Sequence, residues 1–246
     1  MVSKEAISIT INRKLSILAI GAHPDDMEIR CGGTLAKYAN LGHNVTICYV
    51  TSGGKGHATI PPEDLVEIRE REASNACKIL NVKPLFLRFE DGEVYLTKEL
   101  VTSIIDAIRS TKADIIITLP EQDYHMDHIN VSIASTNAFF LAGVPHLKTN
   151  YPAYKPQKIY YCETTMGLDF IPDFYIDITD SFDIKLKALA EHKSQCEWLK
   201  RHHNVDLLQR VKVMAEFRGL QCGTKYAEAF QFVRRHMTFQ ALELLP

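Results

Sequence analysis

At 246 residues the chain is long for one domain but within reach of a single large α/β unit, and it can bury a substantial core. Hydrophobic residues at 46% and charged residues at 24% are ordinary globular proportions, which excludes a disordered, collagen-like or disulfide-scaffold chain. With 28 Lys plus Arg against 30 Asp plus Glu the formal charge is −2, so bulk electrostatics draws no polyanion and nucleic acid is not an expected partner.

The first residues, MVSKEAISITINRK, lack the apolar core of a signal peptide. No later stretch approaches the roughly 18 apolar residues of a membrane span. Six widely spaced cysteines (Cys31, Cys48, Cys77, Cys162, Cys196 and Cys222) form no C-x-x-C pair, which argues against a zinc knuckle or a disulfide framework. A cytoplasmic protein without membrane attachment is expected.

Residues 14–22 read as a buried parallel strand that breaks at His23-Pro24-Asp25-Asp26. After Gly32-Gly33, residues 34–42 read as a short helix closed by Gly42, and residues 44–53 as a β-branched strand. Pro61-Pro62 precede a helix over 63–80, with acidic residues near its start. Residues 84–89 form a third strand, Thr97 caps a helix over 98–110, and residues 113–120 form a fourth strand stopped by Pro120. This alternation implies right-handed crossovers and a Rossmann-like, mostly parallel α/β sheet with helices on both faces. Beyond residue 150 two strands, 158–164 and 174–179, lead into charged helices over roughly 181–220. With no flexible linker before it, this part is read as a cap or sheet extension (150–246) of a single domain whose Rossmann-like core spans roughly 14–145.

Two motifs carry chemistry. His23-Pro24-Asp25-Asp26 packs an imidazole and two carboxylates into four residues directly after a buried strand. One Asp could cap the following helix, but two adjacent carboxylates there repel unless a cation neutralises one of them. The second motif, His125-Met126-Asp127-His128, follows the fourth strand. Its His-x-x-His spacing is weak evidence alone; topology strengthens it. In the common doubly wound order, strands one and four are neighbours at the switch point, so both loops meet in the crevice where ligands bind. A catalytic zinc site takes three N or O ligands and leaves a position for water. His23, Asp26 and His128 are the expected ligands of one Zn2+ per chain, although the set also suits other divalent ions. Asp25, beside the metal, is the candidate general base toward water. His125 is placed to donate to an oxyanion or to protonate a leaving amine, with Asp127 orienting and charging it.

The TSGGKGH stretch (51–57) is not a P-loop, because that spacing requires Gly where Tyr49 stands. Nor does the first turn carry G-x-G-x-x-G, and its carboxylates would repel a pyrophosphate. The stretch reads instead as a substrate-side loop.

On AHPDD (22–26) with Gly32-Gly33-Thr34-Leu35, the loop after the second strand, Arg69 and Glu72, HMDH (125–128) and HKSQ (192–195), the chain resembles the PIG-L/LmbE family of zinc-dependent N-acetylglucosaminyl deacetylases over nearly its whole length. That resemblance implies the same roles: His23, Asp26 and His128 on zinc and Asp25 as base. It also implies an amino-sugar small molecule as substrate, with acetate and a free amine as products. KALAEHKSQ and RGLQCGTKYAEAF are similar to the branch that includes bacillithiol-pathway and related bacterial deacetylases. Members often carry an acidic residue, as in TxGExG, where this chain has Gly54, so substrate preference is expected to differ. Arg69 and Arg218 are candidate substrate contacts. A related amidase acting on a thiol-sugar conjugate, a silent sugar- or metal-binding module, and a homo-oligomer all stay open.

Overall fold

The computed structural model describes residues 13–235. Residues 1–12, part of the segment read for a signal peptide, and residues 236–246 of the expected extension lie outside the described residues. The described elements run β1 (Ser16–Gly21), α1 (Asp26–Asn40), β2 (Asn44–Thr51), α2 (Pro62–Leu80), β3 (Lys83–Phe89), α3 (Lys98–Thr111), β4 (Ile115–Thr118), α4 (Met126–Leu141), β5 (Lys158–Cys162), β6 (Phe174–Asp177), α5 (Phe182–Leu189), α6 (Lys193–His203), α7 (Leu207–Cys222) and β7 (Ala227–Phe232).

Strand order in the seven-stranded sheet is β3-β2-β1-β4-β5-β7-β6. The first five are parallel, and β7 pairs antiparallel to both β5 and β6. This is the expected α/β class, and β1 and β4 are neighbours in register from Ile17↔Ile115 to Ile20↔Thr118. Leu18, Ala19, Ile20, Ile47, Cys48 and Ile116 have no exposed surface. The continuous apolar reading of the first strand thus reflects burial on both faces of the sheet. Thr97 caps α3 by accepting from Leu100 N at 3.2 Å. All six cysteines are free thiols, and no described helix is long and apolar enough to cross a membrane.

Two elements depart from the sequence reading. Helix α1 begins at Asp26, not after the glycine pair, but it kinks at Cys31 (φ −143°, ψ 16°), so a second helical segment starts near Gly33. The N–H groups freed by the kink donate to one carboxylate from the far end of the chain: Gly33 N to Glu228 Oε1 at 2.9 Å and Thr34 N to Glu228 Oε2 at 2.7 Å. Lys185 Nζ, equally buried, completes the arrangement at 2.6 Å. A Cβ at Gly33 would stand 2.9 Å from Ile178, so glycine there lets the segment before α5 close on the kink. The second departure is β7, an unpredicted strand inserted between β5 and β6. It carries Glu228.

Glu228→Ala would strand the Lys185 ammonium and two N–H groups in the interior. We expect it to lower the unfolding free energy by about 3–5 kcal/mol, the range for breaking a buried ion pair; urea titration followed by circular dichroism checks this.

Candidate metal centre

Parallel pairing of β1 with β4 sends the segments 22–25 and 119–125 out at the same end of the sheet. Asp25, the residue before α1, sits at φ 115°, a conformation that costs a non-glycine residue about 1–3 kcal/mol. The surrounding bonds hold it there. Asp25 O accepts from Ile29 N at 2.9 Å, and the Asp26 carboxylate accepts from Ala22 N at 2.9 Å and His23 N at 2.8 Å. The strained turn therefore fixes the Asp26 side chain with backbone donors and leaves Asp25 facing the cleft.

His23 Nδ1 lies 3.2 Å from His128 Nε2, His128 Nε2 lies 3.3 Å from Asp26 Oδ1, and Asp26 Oδ2 lies 3.6 Å from His23 Nδ1. Three ligands at about 2.1 Å from a tetrahedral ion would be about 3.4 Å apart. The far nitrogen of each ring is braced: His23 Nε2 by Asp91 at 3.1 Å and Asp127 at 3.2 Å, His128 Nδ1 by Asp123 at 3.1 Å with Arg30 at 3.0 Å. Carboxylates behind metal-binding imidazoles fix the tautomer and turn the free lone pair toward the ion. The residues therefore fit a divalent cation. A second grouping, His23, His125 and Asp127, also falls within ligand range. Its atoms are engaged elsewhere, since Asp127 accepts from Gly92 N and Val94 N, and His125 Nδ1 accepts from Asp127 N at 3.2 Å.

The protonation states follow from these neighbours. Burial opposes charge on His23, but the Asp127, Asp26 and Asp91 carboxylates outweigh it and raise its pKa well above the usual value. Burial likewise favours the neutral form of Asp26, yet His128, His23 and Arg30 hold it well below the carboxylate range. Asp25 moves the other way: burial raises it, Arg69 opposes and the Asp26 charge adds to the rise. Burial, then His23 and His128, lower His125. With Nδ1 accepting from the backbone, neutral His125 carries its proton on Nε2.

The structure gathers His23, Asp25, Asp26, Arg69, His125 and His128 in one cleft of ≈ 390 Å³. A larger cavity of ≈ 700 Å³ lies between α3 and α4, lined largely by side chains such as Val101, Ile105, Phe139 and Phe140, and among the described residues it holds no metal-ligating cluster. Asp127 is fully buried, but its carboxylate orients His23, not His125 as expected; only its backbone N–H holds His125. Neither arginine is a surface charge. Arg69, 3% exposed, donates to Gly53 O and Pro24 O and lies 3.5 Å from Asp25. Arg218 is not brought to the cleft: it binds Glu163, with Nε–Oε1 at 2.7 Å, and Gln221. The 51–57 loop holds Arg69 through Gly53 O, and Lys55 N donates to Asp91 at 2.8 Å. At Gly54 a Cβ would meet Val66 at 2.8 Å, so no room is left for an acidic side chain.

Arg30, Asp91 and Asp123 were missed by the sequence reading. Arg30 lies four residues after Asp26 on α1, a helical spacing hidden when the helix is started after Gly32-Gly33. Asp91 follows β3 in a turn at the same end of the parallel sheet as the β1 and β4 loops. The HKSQ motif meets α2, with Ser194 N and Oγ donating to Glu72 at 2.9 and 2.7 Å, while His192 Nε2 faces Glu28 at 3.2 Å.

Residues 18–139 match the family model described as PIG-L, GlcNAc-PI de-N-acetylase. "Uncharacterized deacetylase YaiS" of Escherichia coli (strain K12) is 30% identical over 197 residues, 77% of this chain and 96% of that protein. The chain belongs to the PIG-L family. Diacetylchitobiose deacetylase of Thermococcus kodakarensis is 28% identical over 242 residues, 92% of this chain and 86% of that protein. "Probable N-acetyl-alpha-D-glucosaminyl L-malate deacetylase 2" of Bacillus cereus is 29% identical over 197 residues, 74% of this chain and 84% of that protein. The relatives thus include the bacillithiol-type PIG-L branch expected from the C-terminal motifs. The conserved protein TT1542 of Thermus thermophilus superposes with a TM-score of 0.79 at 25% identity, covering 94% of this chain and 99% of that one.

In this PIG-L chain, His128→Ala is expected to abolish stoichiometric metal binding, whereas Asp123→Asn, which meets that ring at its far nitrogen and also pairs with Arg30, should weaken it by about 10–100-fold. Elemental analysis after dialysis and competition with a chromogenic chelator read both; full metal content in His128→Ala would remove it from the ligand set.

Proposed function

We propose that the chain is a metal-dependent N-deacetylase that hydrolyses the acetamide of a small molecule containing N-acetylglucosamine. The observation that carries this reading is the convergence of His23 Nδ1, Asp26 and His128 Nε2 in the cleft that Asp25 and His125 also line. Deacetylase relatives that act on diacetylchitobiose or N-acetylglucosaminyl malate support the substrate class.

Zn2+ or another divalent ion held by His23, Asp26 and His128 would supply Lewis acidity, polarising the acetamide carbonyl and acidifying a water. The side chains do the rest. Asp25, with its pKa raised by burial, takes a proton from the attacking water as its oxygen bonds to the carbonyl carbon. Arg69 and the strained backbone keep the Asp25 carboxylate in place. The Nε2–H of His125 donates to the oxyanion that develops. The C–N bond then breaks, the proton held by Asp25 passes to the departing nitrogen, and acetate and a free amine are left. Asp127 has two positioning tasks: its carboxylate braces His23 and its N–H sets the His125 tautomer.

Asp25→Asn should keep its metal yet lose about 10²–10⁴ in kcat, because only the proton acceptor is removed. Acetate release from N-acetylglucosamine compounds by wild type, with and without chelator, is the companion measurement. Wild-type turnover in Asp25→Asn would remove the base, and no release from any such compound would favour a silent sugar- or metal-binding module.

A further inference from the structure

The cleft has a second wall that the reaction does not use. Trp198, Leu199 and His203 of α6 and Leu207 and Arg210 of α7 line it with the metal-centre residues. Its carboxylates, those of Asp25, Asp26 and Asp91, belong to the metal centre and are paired with His23, His128 or Arg69. The α6–α7 wall contributes no carboxylate to the cleft among the described residues. Its guanidinium, on half-buried Arg210, has no ion pair or side-chain hydrogen bond among the described residues. That sets Arg210 apart from Arg30, Arg69, Arg109 and Arg218, each of whose guanidinium groups donates to carboxylates or carbonyls. A cation partly withdrawn from water and left unpaired is poised for an anion, and a guanidinium matches a planar or tetrahedral oxyanion with two parallel N–H groups. Beside it, Trp198 is held by His202 at 3.8 Å between ring centroids and presents an apolar surface to the cleft.

Resting on the deacetylase reading above, the geometry points to Arg210 as a specificity determinant that selects N-acetylglucosaminyl compounds whose aglycone carries a carboxylate or phosphate. When the acetamide sits at His23, Asp25 and His128, the remainder of the molecule reaches the α6–α7 wall, where Trp198 backs it and Arg210, with His203 beside it, takes the negative charge. A neutral disaccharide leaves that guanidinium unpaired.

The metal-loaded full chain is assayed for acetate release and, by calorimetry, for binding, with N-acetylglucosaminyl glycolate, N-acetylglucosamine 1-phosphate, methyl N-acetylglucosaminide and N,N'-diacetylchitobiose. Wild type should favour the anionic pair by about ten- to hundredfold in kcat/KM and in Kd, the range for a charge-assisted hydrogen bond. Arg210→Gln should collapse that preference, mainly through KM; Arg210→Lys should keep part of it, and about 0.5 M KCl should compress it in wild type. The carboxylate and phosphate arms report which oxyanion the wall prefers. Equal use of neutral and anionic compounds by wild type, or a preference that survives in Arg210→Gln, overturns the assignment while leaving deacetylation intact. Charge-dependent binding that Arg210→Gln weakens, without acetate from any compound, would sink the deacetylase reading and keep the anion subsite. Absence of both would end both.

Discussion

Five carboxylates, from Asp25, Asp26, Asp91, Asp123 and Asp127, crowd around His23 and His128, and only two guanidinium groups among the described residues, Arg30 and Arg69, stand among them. Buried like charges at this density oppose folding unless positive charge enters the cluster. A proton on His23 supplies part of it, and the surrounding carboxylates hold its pKa well above the ordinary value against the opposing effect of burial. A dication in the His23–Asp26–His128 triangle would answer the same imbalance, displacing protons as it binds. The electrostatic constraint and the ligand geometry point to one position.

Much of the fold serves to tolerate that crowding. Backbone N–H groups of Ala22, His23, Gly92 and Val94 each donate to one of these carboxylates. Arg30 reaches across from α1 to Asp123 and to Glu163 O, and Arg69 reaches from α2 to the strained turn through Pro24 O. Dipoles fixed by the sheet and arginines anchored on helices substitute for water around the charges, leaving the cleft side of Asp25 and His125 for chemistry.

Strands β1 to β4 were legible from apolar and β-branched runs alternating with helices, and the β1–β4 neighbourhood follows from the doubly wound order; β5, read as part of the extension, in fact continues the parallel core beside β4. His23, Asp25, Asp26, His125 and His128 were legible as well, each within three residues of another chemistry-bearing side chain. What failed to show was whatever depends on distant sequence. Arg218 looks the same on paper whether it meets a substrate or Glu163, and the partner of Asp127 is decided by the rotation of α4 against the loop after β3. Strand β7 hides because the Ala and Glu residues of AEAFQF are poor strand formers and its pairing with β5 and β6 is long-range. Trp198 and Arg210 belong to helices whose charge pattern gives no sign that one face closes on the residues after β1.

The kink at Cys31 constrains the order in which the molecule can be completed. Asp26 and Arg30 lie on the first segment of α1, and the second segment depends on Glu228 for its first N–H acceptors. The carboxylate that settles their helix is made only 195 residues after Gly33. Until then Gly33, Thr34 and, once made, Lys185 lack their partner. The helix that carries the candidate ligand Asp26 is therefore completed from β7, which couples the geometry of the candidate centre to synthesis of the chain through that strand.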